Sequence, residues 1–144
     1  MKPVYQDLSD NCFQACIASI FEIPLSDVPH FFKGSKAGSI WTQDQWDFVM
    51  AWSENRGYQA CWLDPDIEGD RKFIAMLEES DLFYVAFGDS WRNAGGGHCI
   101  VMHKGKRIHD PNGVSFIRGE PWLYVLFEPA NASTISTLVP ELSS

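Results

Sequence analysis

The sequence predicts a single α+β domain in which helices precede an antiparallel β-sheet along the chain. Apolar residues recur at helical spacing in the first half, whereas the second half contains short apolar runs separated by glycine-containing turns. The chain has 144 residues, of which 45% are hydrophobic, and this is enough to bury one core. We therefore expect one domain over residues 1–129.

Three segments have the apolar spacing of helices, namely 12–22, 45–56 and 70–79. Asn11 and the two polar residues before it can cap the first helix, and Pro24 ends it. Thr42 and Gln45 have the spacing of a capping box at the start of the second helix. Asp70 is expected to cap the third.

Five segments are predicted to be strands, namely 58–63, 82–87, 98–103, 106–110 and 122–127. The third and fourth flank Lys104-Gly105, which suits a tight hairpin turn. Residues 34–38 and 88–97 are glycine-rich and are expected to form loops. Residues 130–144 are rich in Ser and Thr with little to bury, so we expect a loosely held C-terminal tail.

The net charge of −8 argues against nucleic acid as a partner, because a nucleic-acid binder needs a basic surface to neutralise phosphates. No apolar stretch is long enough to cross a membrane, and residues 1–10 lack the apolar region of a signal peptide. We therefore expect a cytoplasmic protein. Its four cysteines are expected to be free thiols, as is usual in that compartment.

Cys12 lies where the first predicted helix begins. Unpaired N–H groups and the helix dipole stabilise a thiolate at such a position, so the pKa of the thiol should fall. A thiolate is the form of cysteine that acts as a nucleophile. Cys16 lies one turn later and is expected to belong to the core.

His98 and Asp110 are candidates for the base and for the group that orients it. His98 follows three glycines, which allow the backbone to pass close to a partner, and a base must come within about 3 Å of the thiol. Asp110 ends the next strand, so the hairpin should bring it near His98. A carboxylate there can accept the imidazole N–H and stabilise imidazolium.

Gln6 precedes Cys12 by six residues, and its side-chain amide can donate to an oxyanion together with the backbone N–H of Cys12. Trp91, Arg92 and Asn93 precede the glycines on a loop expected to border the cleft. We expect Trp91, Asn93 and Gly97 to contact the substrate.

This order of residues resembles that of papain-fold cysteine peptidases: a glutamine, a cysteine opening a helix, a histidine on a strand, and an Asp or Asn on a neighbouring strand. The active-site pattern is similar to that of the peptidase domains that process double-glycine leader peptides for bacteriocin exporters. The positions that carry this resemblance are Gln6, Cys12, His98, Asp110 and Pro111.

A longer resemblance connects the chain with a group of uncharacterised bacterial and phage papain-like proteins. It rests on residues 11–20, 23–25, 28–31 and 98–112, and residues 34–87 match only in outline. The resemblance implies a papain-like fold, in which the nucleophile helix packs on the antiparallel sheet. It also implies thiol-dependent acyl transfer, with hydrolysis of a peptide or isopeptide bond as the leading hypothesis and a peptide or protein as substrate.

Two other interpretations stay open. The same fold hosts deamidases, acyltransferases, transglutaminases and inactive relatives, so the chain could be a non-peptidase enzyme or a binding module. A metal site could instead be built from Cys12, Cys16 and His98 with His103 or His109. The chain has no CxxC pair and Cys16 belongs to the apolar side of its helix, so neither a metal nor another cofactor is expected. The sequence leaves the oligomeric state open.

Overall fold

The computed structural model describes residues 1–32, 42–90, 97–113 and 117–130 of the chain. Within these ranges, three α-helices are formed: α1 (Cys12–Phe21), α2 (Gln43–Asn55) and α3 (Glu68–Glu79). The strands are β1 (Tyr58–Leu63), β2 (Phe83–Asp89), β3 (Gly97–His103), β4 (Lys106–His109) and β5 (Arg118–Pro129). The combination of helices with an antiparallel sheet confirms the predicted α+β class.

The strands form a five-stranded sheet in the order β1-β5-β2-β3-β4, and each neighbouring pair is antiparallel. The last strand is longer than the predicted 122–127, because β5 pairs with β1 on one side and with β2 on the other. The predicted loop 88–97 is shorter than expected, since Gly88 and Asp89 extend β2 and Gly97 opens β3.

The sheet separates two cores, because successive side chains of a strand point to opposite faces. In β3, Cys99 and Val101 pack with residues of α1 and α2, whereas Ile100 and Met102 pack with residues of α3. The alternation therefore gives a helical layer on each face of the sheet. It also directs Cys99, the residue after His98, towards α1.

The cap predicted from the sequence is present at the start of α2 but not at the start of α3. The capping box at α2 is confirmed, since the Thr42 side chain accepts from the Gln45 backbone N–H and the Gln45 side chain accepts from the backbone N–H of Thr42. The predicted cap at Asp70 is wrong, because α3 begins at Glu68. Asp70 instead accepts a hydrogen bond of 2.9 Å from the backbone N–H of Asp64 and so holds the preceding turn.

Two of the predicted irregular segments cannot be compared with the structure. The loop at 34–38 and residues 131–144 of the tail lie outside the described residues. Of the helices in the described part of the chain, none combines the length and the apolar character needed to cross a bilayer.

Gly88 provides a test of the packing beside the β2–β3 pair. It lies opposite His98, and a Cβ added there would be 2.6 Å from Cδ1 and 2.9 Å from Cβ of buried Ile117. We predict that Gly88→Ala lowers the free energy of unfolding by about 1–3 kcal/mol, because Ile117 must move within a packed core. Urea denaturation followed by circular dichroism measures this change.

Gly69→Ala is the matched control, since a Cβ at Gly69 meets no atom of the described residues within 4 Å. Gly69 lies within α3, where alanine stabilises a helix by up to about 1 kcal/mol relative to glycine. A Gly88→Ala protein as stable as the wild type would contradict the close approach of Ile117.

Candidate active site

Cys12 is the first residue of α1 and is partly exposed, at the edge of the core between α1 and the sheet. The first N–H groups of a helix have no acceptor within the helix. The helix therefore fixes the direction of the Cys12 backbone N–H but provides no acceptor for it. The start of α1 therefore combines the Cys12 thiol with a backbone donor.

The turn before Cys12 is held by Asn11, whose side chain is 1% exposed. Its Oδ1 accepts from the backbone N–H of Leu8 at 3.0 Å, and its Nδ2 donates to Asp7 Oδ1 at 2.7 Å. The prediction that this side chain caps α1 is therefore wrong, because it bonds backwards into the turn. Asn11 fixes the backbone that leads into Cys12, a role that the sequence analysis missed.

Gln14 connects the same network to the segment after α1. Its Oε1 accepts from Asn11 Nδ2 at 3.3 Å, and its Nε2 donates to the carbonyls of Leu25 and Val28 at 3.0 and 2.8 Å. The start of α1 is therefore held by the residues that precede the helix and by the segment that follows it.

His98 and Asp110 meet at the end of the β3–β4 hairpin. Nε2 of His98 lies 2.7 Å from Oδ1 of Asp110, and the side chains are only 11% and 5% exposed. The same carboxylate oxygen accepts from the backbone N–H of Asn112 at 2.9 Å. Asp110 therefore acts as a turn residue and as the partner of the imidazole at once, and its orientation is fixed by the turn.

A bulge in β4 determines this contact. Met102 lies opposite Arg107, but Val101 lies opposite His109, so one extra residue is inserted in β4. Continued by one residue, this register places Asp110 opposite Ile100, which shares a sheet face with His98 because the two are two residues apart. In a regular hairpin Asp110 would instead lie opposite Cys99 and would point to the other face.

The pKa of Cys12 is lowered to about 5. The largest contribution is a hydrogen bond from the Cys99 thiol, and it outweighs the burial that opposes ionisation. A hydrogen bond with His98 and the charge of that imidazolium lower the pKa further. Because Nε2 of His98 is bound to Asp110, Nδ1 is the ring nitrogen left for the thiolate.

The pKa of His98 moves in the opposite direction. Burial opposes the charged ring, but its hydrogen bond with Cys12 and the thiolate charge, followed by the bond with Asp110 and its charge, raise the pKa above the ordinary value of 6.5. The thiolate is therefore present above a pH of about 5, and the imidazolium persists above pH 6.5. Between a pH of about 5 and the raised pKa of His98, the site favours a thiolate–imidazolium pair.

Cys99 is a member of the site that the sequence analysis did not single out. Its Sγ lies 3.1 Å from Sγ of Cys12 and 3.9 Å from Sγ of Cys16. Burial raises the pKa values of both Cys99 and Cys16, so the two remain protonated thiols. Strand alternation after His98 was the available signal, because it directs Cys99 to the face that α1 covers.

Gln6 is brought beside the end of the hairpin by its backbone N–H, which donates to the Pro111 carbonyl at 2.9 Å. Its side-chain Nε2 donates to the Leu8 carbonyl at 2.7 Å, and the second hydrogen of that amide is not used by this bond. Its Oε1 is buried and meets no donor among the described residues. The role of Gln6 as an oxyanion donor stays a prediction.

The segment around Val4 connects the two halves of the site. Its backbone N–H donates to Ser19 Oγ of α1 at 2.9 Å, and its carbonyl lies 2.8 Å from Nε2 of His109 at the end of β4. Together with the bond between Gln6 and Pro111, these contacts join α1 to the strand that leads to Asp110.

The predicted substrate contacts are described only in part. Trp91, Arg92 and Asn93 lie outside the described residues. Gly97 opens β3 opposite Asp89 and immediately precedes His98, and its contact with substrate stays a prediction.

The two extra histidines of the metal hypothesis are engaged elsewhere. His103 stacks on Phe83 with ring centroids 4.3 Å apart, and His109 lies against Val4 and Tyr5. In ranges 1–32, 42–90, 97–113 and 117–130, no group of three or more His, Cys, Asp or Glu side chains has an arrangement suited to a metal ion.

No protein-family model matches the chain, and comparisons with curated proteins and with solved structures gave no match either.

We predict that iodoacetamide modifies Cys12 faster than the other cysteines, because only a thiolate reacts and the Cys12 pKa is about 5. The rate should fall as the pH drops through that value. In His98→Ala the midpoint should move to higher pH, since the hydrogen bond and the positive charge are lost. Mass spectrometry after brief labelling across a pH series measures both effects.

Cys61→Ala is the control, because Cys61 is also partly exposed but its pKa is raised by burial to about 11. This variant should keep the wild-type profile. Equal labelling of Cys16 or Cys61, or an unchanged midpoint in His98→Ala, would contradict the proposed ionisation of Cys12.

Proposed function

We propose that this chain is a papain-like cysteine hydrolase that cleaves a peptide or isopeptide bond through Cys12, His98 and Asp110. The observation that carries the proposal is the buried 2.7 Å contact between His98 and Asp110, next to a thiol whose pKa is lowered to about 5. A nucleophile beside a base that is itself oriented by a third group is the usual arrangement of nucleophilic catalysis.

In the first step, the Cys12 thiolate attacks the carbonyl carbon of the scissile bond. A C–S bond forms, and the carbonyl oxygen takes the negative charge of the tetrahedral intermediate. The backbone N–H of Cys12 at the start of α1 donates to this oxygen, with the unused N–H of the Gln6 amide as second donor. Both donors belong to the segment that the Asn11 network fixes.

Proton transfer then falls to His98. The imidazolium donates its Nδ1 proton to the leaving amine, the C–N bond breaks, and an acyl-thioester of Cys12 remains. The neutral imidazole next takes a proton from water, whose oxygen attacks the thioester carbonyl carbon. The C–S bond then breaks, Cys12 leaves as the thiolate and the acid product is released. Asp110 holds Nε2 throughout, so the ring keeps one orientation and the imidazolium is stabilised.

The packing of α1 supports a papain-like assignment. The helix that begins with Cys12 covers the face of the sheet to which Cys99 of β3 points, and His98 precedes Cys99 on the same strand. Cysteine, histidine and aspartate follow one another in the order that the resemblance requires. The papain-like part of the proposal rests on this order of residues and on this packing of α1 against the sheet.

The surface beside Gln6 supports a peptide substrate. Tyr5 and Leu8 are 57% and 54% exposed, although both side chains are apolar over most of their surface. They flank Gln6 in the segment that leads to Cys12, where apolar side chains of a peptide could cover them. We therefore propose apolar residues next to the scissile bond.

The direct test is labelling with a thiol-directed, activity-based probe, combined with a substrate screen in lysate that compares wild type with Cys12→Ala. The wild type should be labelled at Cys12 and should release new peptide termini that the variant does not release. Cys61→Ala should behave as the wild type. A labelled Cys12 without any cleavage, but with loss of substrate amides or acyl transfer, would replace the peptidase by a deamidase or acyltransferase.

Gln6→Ala separates oxyanion stabilisation from nucleophile activation. We predict a loss of about 10²–10³ in kcat/KM, because one donor to the developing oxyanion is removed. The rate of Cys12 alkylation should change little, since alkylation creates no oxyanion. Turnover kinetics and iodoacetamide labelling of the same preparation give the two values, and an equal loss in both would assign Gln6 another role.

His98 and Asp110 are expected to act as a unit. His98→Ala should nearly abolish turnover, whereas Asp110→Asn should lose less, because asparagine keeps part of the hydrogen bonding. The double variant should be little worse than His98→Ala alone, since residues of one catalytic unit are not additive. Measured kcat/KM values for the three variants test this, and two fully additive losses would refute the unit.

A further inference from the structure

Three cysteines, two from α1 and one from β3, meet near the start of α1. Sγ of Cys99 lies 3.1 Å from Sγ of Cys12 and 3.9 Å from Sγ of Cys16. Cys16 and Cys99 are completely buried, whereas Cys12 is partly exposed. The proposed acyl chemistry uses only Cys12 as a nucleophile, and the protonated sulfur of Cys99 takes no part in its bond-breaking steps.

We propose that Cys12 and Cys99 form a peroxide-reactive dithiol, in which Cys99 converts the oxidised form of Cys12 into an intramolecular disulfide. The proposal goes beyond hydrolysis and requires no acyl substrate. It rests on the separation of 3.1 Å between the two sulfurs and on the difference in exposure between them. The oxidant is a hydroperoxide, a class small enough to reach a partly exposed thiolate.

The first step oxidises Cys12. Its thiolate sulfur attacks the terminal oxygen of the hydroperoxide, an S–O bond forms and the O–O bond breaks. The alkoxide or hydroxide that leaves takes a proton from solvent, and Cys12 becomes a sulfenic acid. Sulfur loses two electrons and the peroxide gains them.

The second step uses Cys99. Its sulfur attacks the Cys12 sulfur, the S–O bond breaks, and the departing hydroxide leaves as water with the Cys99 proton. A disulfide requires an S–S distance of about 2.05 Å, so the two sulfurs must approach by about 1 Å from their present separation. An external dithiol, through thiol–disulfide exchange, returns both residues to thiols.

The surroundings favour Cys99 over Cys16 as the resolving residue. Cys99 is the sulfur in hydrogen-bond contact with Cys12, at 3.1 Å, whereas Cys16 makes its contact with Cys99, at 3.9 Å. Cys61 belongs to the core on the other face of the sheet. The disulfide would occupy the nucleophile reversibly and so prevent its further oxidation to sulfinic acid, which is irreversible in most proteins.

The test treats the purified wild type with hydrogen peroxide, blocks the remaining thiols and maps disulfide-linked peptides by mass spectrometry. We expect a Cys12–Cys99 disulfide and full return of Cys12 alkylation after dithiothreitol. Accumulation of Cys12 sulfinic acid without that disulfide would overturn the proposal. This outcome concerns the wild type alone and does not depend on how any variant folds.

Two variants sharpen the result. Cys99→Ser, which keeps a hydrogen-bond donor, should leave a sulfenic acid that dimedone traps. Excess peroxide should convert this sulfenic acid to sulfinic acid, which dithiothreitol does not reduce. Cys16→Ser should still form the Cys12–Cys99 disulfide, and loss of the disulfide in this variant would overturn the assignment. Failure of the proposed hydrolysis is distinguishable, since a protein that forms the disulfide but cleaves no peptide loses only the acyl chemistry.

Discussion

The register of the β3–β4 hairpin determines whether Asp110 and His98 can meet. Without the extra residue in β4, side-chain alternation would direct Asp110 away from the imidazole. With it, the carboxylate lies 2.7 Å from Nε2 of His98 and also closes the following turn through Asn112. The His98 ring is therefore oriented by backbone geometry, and its orientation decides which ring nitrogen is left for Cys12.

Cys12 is held in place by contacts of α1 as well as by the hairpin. Asn11 fixes the turn before α1, and Val4 ties α1 to the end of β4 through Ser19 and His109. The core between α1 and the sheet then brings Cys99 up to Cys12. The Cys99 thiol lowers the pKa of Cys12 through its hydrogen bond. In the proposed oxidation the same thiol forms a disulfide with Cys12. The contact between the Cys12 and Cys99 sulfurs therefore affects both the reactivity of Cys12 and its proposed protection from further oxidation.

The sequence predicted the α+β class and the hairpin around Lys104-Gly105, because these depend on local spacing and turn chemistry. It also predicted the approach of His98 to Asp110 from the hairpin, but a regular hairpin alone would not produce this contact. It did not predict the bulge in β4, which reflects the packing of the whole sheet. The cap at Asp70 was wrong since a neighbouring turn competes for its carboxylate. Cys99 was missed because its role appears only when α1 is placed against the strand.

We propose that Cys12 and His98 form a thiolate–imidazolium pair, and nuclear magnetic resonance titration of the His98 ring tests this pair most directly. In the wild type the titration midpoint should lie above the ordinary histidine value of 6.5, because the thiolate and Asp110 stabilise the charged ring. In Cys12→Ala, which cannot form a thiolate, the midpoint should be lower. The same midpoint in both proteins would contradict the pair.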